Sequence, residues 1–280
     1  MGWTETAAVR RRRAGALAAV RRLRDPDGSG MDPEVWTALE RFRDGVLAVL
    51  GAGVVAIYAD GSLTLGDFEP ATSDLDVLVV TRAPLDAVPV EQLARLHARL
   101  ARDLRWGGRL EGEYAALHQL CPAGISGPVV AIVVGGELRA GVPSAFTAEN
   151  GRAMRDHGMI LHGDPPSSVL PVVDDAAFTA ALRSYFAELV QGAPEAAADL
   201  VGLADTLLNA ARCLLGLRIG RPCTKTEAAL WLGERHPELA AALTIARAVR
   251  RGERPPDGAS VMREGLRRLA GLAGELEFPP

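Results

Sequence analysis

Asp74 and Asp76 stand two apart at the head of the apolar run Val77-Leu78-Val79-Val80. A run of that kind after two acids reads as a buried strand. Period-two alternation puts both carboxylates on the same face of it. Two carboxylates side by side repel each other unless a cation lies between them. Mg2+ suits such a pair, because it takes oxygen ligands and commonly combines one or two carboxylates with substrate phosphates. Upstream stands Gly61-Ser62, separated from the acids by the segment 63–73. Gly61 allows the backbone to turn close to a ligand, and the Ser62 hydroxyl with nearby N–H groups can hold a phosphate. Further on, Glu111 and Glu113 are also two apart and share a strand face by the same period.

The elements that position these residues follow from the pattern around them. Val54-Val55-Ala56-Ile57-Tyr58 reads as a strand that delivers Gly61-Ser62 to the edge where the Asp pair begins. Before it, Asp32-Pro33-Glu34 starts a helix, with an acid at the N-cap and proline in the first turn. Val35, Leu39, Phe42, Val46 and Leu50 form its apolar stripe, and Gly51 and Gly53 end it. A second amphipathic helix is expected from Val90 to Leu104, then strands through Arg109–Leu117 and Val129–Val134. Residues 143–174 read as loop-rich, and from Asp174 alanine- and leucine-rich helices run to Leu276. The expected domains are a basic arm and linker at 1–30, an α/β domain at 31–165 and a helical domain at 166–280.

Composition narrows the class. The chain has 280 residues, 48% hydrophobic and 24% charged, which fits an ordinary globule of about two domains. A formal charge of −4 and a pI of 5.8 are not those of a general nucleic-acid binder. Cys121, Cys213 and Cys223 are scattered and odd in number, so no disulfide framework is expected. The five histidines show no zinc-ligand spacing. No continuous apolar stretch of membrane-span length and no apolar signal core is visible, since Arg10 to Arg13 interrupt the N-terminus. The expectation is a cytoplasmic monomer with no membrane or nucleic-acid partner.

The order of strand, Gly61-Ser62, loop, Asp74-x-Asp76 and strand resembles the signature of the nucleotidyltransferase superfamily. Members place a third carboxylate on a neighbouring strand, and Leu110-Glu111 after Gly107-Gly108 matches that place. Transfer to a hydroxyl needs a base within hydrogen-bond reach of it. Glu111 is the preferred candidate and Glu113 the alternative.

The segment from Leu207 to Leu232 narrows the resemblance. It carries Arg212 on an apolar helix, the turn Gly220-Arg221-Pro222, then Thr224-Lys225 opening the next helix ahead of Trp231. This is similar to the C-terminal domain of bacterial aminoglycoside adenylyltransferases, the streptomycin/spectinomycin 3''-(9) type in particular. Leu161-His162-Gly163 and the Pro-rich stretch after it resemble the interdomain linker of that family. The resemblance implies an α+β fold, with a polymerase-beta-like α/β domain on a small mixed sheet and an all-helical C-terminal domain. It also implies ATP as co-substrate and Mg2+ held by Asp74 and Asp76. Ser62, Ser73, Arg212 and Lys225 would contact the ATP phosphates and Glu111 would act as base. Residue chemistry agrees on two of these. An unpaired guanidinium on an apolar helix is costly, and a lysine at a helix N-terminus adds to a site that already favours anions.

The sequence departs from the family pattern where relatives meet a cationic drug. The stretch Gln191 to Asp205 has no aromatic residue, and Glu195, Asp199 and Asp205 do not align cleanly with the family's acids. Arg250-Arg251 stands where the family often has a tyrosine near the nucleotide. The expected acceptor is therefore a small hydroxylated, cationic molecule of the aminoglycoside or aminocyclitol kind. Two other readings remain at this stage. One is a nucleotidyltransferase acting on a protein or a tRNA end, docked by the basic arm; the other is a nucleotide-binding protein without turnover.

Overall fold

The computed structural model describes residues 32–196 and 199–272. The basic arm at 1–30 lies outside them. The chain is α+β. Helix α1 (Pro33–Leu50) starts as its sequence requires, with Asp32 accepting from the N–H of Glu34 and Pro33 in the first turn. Strand β1 (Val54–Ala59), the single-turn helix α2 (Ser62–Leu65) and β2 (Leu75–Thr81) follow. After α3 (Ala87–Asp103) come β3 (Leu110–Ala116), the short pair β4 (Leu120–Cys121) and β5 (Gly124–Ile125), and the hairpin β6 (Pro128–Val133) and β7 (Glu137–Pro143).

The main sheet has the order β7-β6-β3-β2-β1-β8, where β8 is Met159–His162. Only β2 and β3 run parallel, and their register sets Asp76 beside Glu111. The antiparallel β1 brings its C-terminal end, and with it Asp60, to the same edge, where the Asp60 N–H donates to the Asp76 carbonyl at 3.0 Å. Both faces of this sheet are covered, which is why the strands read as continuous apolar runs. Ile57, Leu75, Val77 and Val79 pack against α1 and α3 through Leu39, Phe42, Leu93 and Leu96. Ala56, Tyr58, Leu78 and Val80 face the other way, toward Met154 and Leu170.

The segment 143–174 is more ordered than its loop-rich sequence suggests. It holds α4 (Ala148–His157), β8 and the short α5 (Pro166–Val169). The capping box of Thr147 with Asn150 is the start signal of α4, a mostly polar helix whose buried face is made of the small residues Ala148, Gly151 and Ala153 with Met154. The helical part comprises α6 (Asp175–Ala196), α7 (Leu200–Ile219), α8 (Lys225–Arg235), α9 (Pro237–Arg250) and α10 (Gly258–Leu272). Helix α7 has the length and composition of a membrane span, yet here it is the central core helix. Leu203, Leu207, Leu208, Ala211 and Leu214 are buried among Phe178, Leu182, Leu243, Val249 and Leu266.

Candidate active site

A cleft of about 430 Å3 lies between the sheet edge and the helical part. Gly61, Ser62, Ser73, Asp74, Asp76, Glu111, Arg212 and Lys225 all line it. Residues as distant in the chain as Gly61 and Lys225 thus converge on one opening.

The sheet supplies the acids. Gly61 turns at φ 71, and a Cβ there would meet Asp76 Oδ2 at 1.9 Å. The glycine is needed for backbone to pass against the carboxylate. Asp76 is pushed up to about 6, first by burial and then by the Asp74 carboxylate. Glu111 is pushed up to about 7 by burial and by Asp74 and Asp76. Asp74 is raised by burial too, partly countered by Arg109, whose Nε lies 3.8 Å away. A fourth acid, Asp60, escaped the sequence reading. Burial raises it to about 7, against the hydrogen bond from the Gly61 N–H, and Asp76 adds repulsion. Its place directly before Gly61-Ser62 was the signal available.

Glu113 stands in a different environment. It is buried, and its carboxylate accepts from Ser144 Oγ and from the Ala145 N–H, each at 2.6 Å. Both oxygens accept hydrogen bonds from the loop after β7, although Glu113 lines the cleft as Glu111 does. Ser73 is likewise engaged, its Oγ accepting from the Glu69 N–H at 2.9 Å.

The helical part supplies two cations, each paired with an acid in a way that the sequence did not reveal. Lys225 Nζ donates to Asp205 Oδ1 at 2.7 Å. Burial lowers the Lys225 pKa, and Asp205 opposes that. Arg212, on α7, has Nη2 3.6 Å from Glu149 Oε2 on α4, and its buried Nε lacks a hydrogen-bond partner. Glu149 holds it firmly charged. The α8 N-terminus, expected to offer N–H groups to an anion, is partly engaged within the protein. The Thr226 N–H donates to Asp67 and the Glu227 N–H to Thr224 Oγ1, so these two first-turn donors already have partners.

The arrangement sets three neighbouring carboxylates against two cations across a narrow opening. That pattern suits an anionic ligand with several phosphates lying between a metal ion and basic side chains. The fold is similar to that of a solved adenyltransferase. The likeness is to the crystal structure of spectinomycin adenyltransferase AAD(9) from Enterococcus faecialis with ATP and spectinomycin, at a TM-score of 0.68 and 16% identity. It covers 84% of this chain and 98% of that one. No protein-family model and no curated protein matches the chain.

Proposed function

We propose that this protein transfers AMP from ATP to a hydroxyl of an aminoglycoside or aminocyclitol, spectinomycin- or streptomycin-like, and releases pyrophosphate. The observation that carries this reading is the register that puts Asp76 beside Glu111, facing Lys225 and Arg212 over one cleft. The likeness of fold to an adenyltransferase solved with ATP and spectinomycin supports it.

The donor set fits Mg2+. Asp74 and Asp76 are hard oxygen ligands whose raised pKa values report repulsion and burial that a cation would relieve. Among the described residues no three His, Cys, Asp or Glu side chains form a metal site by themselves. A Mg2+ held by Asp74 and Asp76 would draw its other ligands from phosphate and water oxygens, which is its usual habit. Bound there, the ion supplies Lewis-acid stabilisation of charge on the phosphates.

The protein's own groups do the rest. Lys225 and Arg212 neutralise triphosphate oxygens and orient the chain of phosphates. Gly61 and Ser62 lie where backbone and hydroxyl can approach it. Glu111, poised near neutrality, takes the proton from the acceptor hydroxyl as that oxygen bonds to the α-phosphorus. The bond from the α-phosphorus to the bridging oxygen breaks, and pyrophosphate leaves with the electron pair.

The test is pyrophosphate release from ATP with Mg2+ against a panel of aminoglycosides and aminocyclitols, with Asp74→Asn/Asp76→Asn as control. Release with spectinomycin or streptomycin that disappears in the control is the expected result. Nucleotide binding with silence across the panel would remove this acceptor class.

A further inference from the structure

One group of charges on the wall of the cleft is satisfied by its own partners. Asp67 lies in the loop that joins Gly61-Ser62 to Asp74. Its Oδ2 accepts from Arg250 Nη1 at 2.9 Å and from the Thr226 N–H at 3.3 Å. Its Oδ1 accepts from Thr226 Oγ1 at 2.6 Å, and its backbone carbonyl accepts from Arg250 Nη2 at 2.8 Å. A second strut runs beside it, with Thr72 Oγ1 donating to the Arg250 carbonyl at 2.9 Å. The side chains of Arg250 and Asp67 are only 5% and 11% exposed.

Asp67 and Thr72 belong to the sheet part, whereas Arg250 ends α9 and Thr226 lies in the first turn of α8. Every bond in the group therefore crosses from one part to the other. Burying such a pair adds little net stability over apolar packing, but the planar guanidinium fork fixes direction and distance. The bonds also end close to the site. Lys225 immediately precedes Thr226, and Asp74 follows Thr72 by two residues. A displacement at this point moves both walls of the cleft.

We propose that Asp67, Arg250 and Thr226 form an interdomain latch that positions Lys225 opposite Asp74 and Asp76. Its effect on nucleotide affinity rests on reading the cleft as a nucleotide site; its effect on the relative placement of the two parts does not. Asp67 and Arg250 also line the cleft, but their polar atoms are engaged with each other and with Thr226, so their role is to position Lys225.

The experiment uses Asp67→Asn/Arg250→Met, which removes both charges together while the Asn carbonyl still accepts from Thr226. Three quantities are measured on the full chain: the thermal midpoint, the affinity for a non-hydrolysable ATP analogue with Mg2+, and the spread of distances between spin labels. The labels sit at Arg99→Cys on α3 and Arg268→Cys on α10, in a Cys121→Ser background. The expected result is a midpoint near that of the parent, a broadened distance distribution, and affinity weakened about tenfold or more. A purely stabilising pair would move the midpoint and leave the other two unchanged, which would overturn the latch. If the parent binds no nucleotide, the functional reading of the cleft fails and the distance distribution alone decides the latch. Should the double variant not fold, Thr226→Val serves instead, since it removes one hydrogen bond and keeps the charge pair. A broadened distribution in that variant supports the latch, and an unchanged one overturns it.

Discussion

Asp67 and Asp76 are both aspartates at the boundary between sheet and helices, and their surroundings are opposite. Asp67 meets a guanidinium, a hydroxyl and an N–H at hydrogen-bond distance. Asp76 sits among Asp74, Glu111 and Asp60, and the cations across the cleft are already paired with Asp205 and Glu149. The first environment is complete without a ligand. The second keeps like charges close in a desolvated place, at a cost that a polyphosphate with its cation would offset. The lesson is that buried charge stands in two different environments here, one satisfied by hydrogen bonds and one crowded with like charge.

The strongest way to break this comparison is to remove the repelling acids. Asp74→Asn/Asp76→Asn is expected to lower pyrophosphate release by about a thousandfold or more. The same change should raise the thermal midpoint of the unliganded protein, because it removes buried repulsion. Retained turnover would remove the pair from the chemistry. Next in size, Glu111→Gln should cut turnover by about 10²–10⁴ while leaving the nucleotide dissociation constant in place; a weakened nucleotide with normal turnover would assign Glu111 to binding.

Stability measurements sharpen the other side. In urea, Asp67→Ala should lose about 3–5 kcal/mol, since it strands a buried guanidinium, whereas Asp76→Asn should lose nothing. Equal losses would erase the distinction between latch and site. Gly61→Ala should cost about 1–3 kcal/mol from its positive φ, and it drives a methyl into Asp76, so activity should fall with it.

The gentlest probe is pH. Asp60, Asp76 and Glu111 titrate at about 7, 6 and 7 in the folded protein, above their values in an unfolded chain. The folded state therefore holds protons that the unfolded state has released, and stability should decline as pH rises from about 4 to about 7. Mg2+ with nucleotide should flatten that decline. A metal-free thermal midpoint that climbs across this window would contradict the crowding of acids.

Much of the candidate site was legible because its parts carry local signals. Gly61-Ser62 is a turn between two apolar runs, Asp74 and Asp76 open a strand, and Glu111 follows a glycine turn onto another. Lys225 stands just behind its helix cap, Thr224. What stayed hidden are the partners. Glu149 lies in a segment with few large apolar residues, so neither α4 nor its reach to Arg212 was visible. Arg250 looked like a departure from a family pattern, and nothing nearby in the chain announces Asp67 as its acceptor. Glu113 was indistinguishable from Glu111 until the loop after β7 claimed both its oxygens.

By itself the sequence determined the α+β character, the start of α1 at Asp32-Pro33, and the alternation that sets acids at strand ends. Each of these follows from hydrogen-bond capacity and apolar periodicity within a few residues. Tertiary structure alone decided which charges meet: Asp205 with Lys225, Glu149 with Arg212, Asp67 with Arg250. An ion pair needs atoms within a few ångströms and no particular spacing in the chain, so only the packing of sheet against helices could assign those partners.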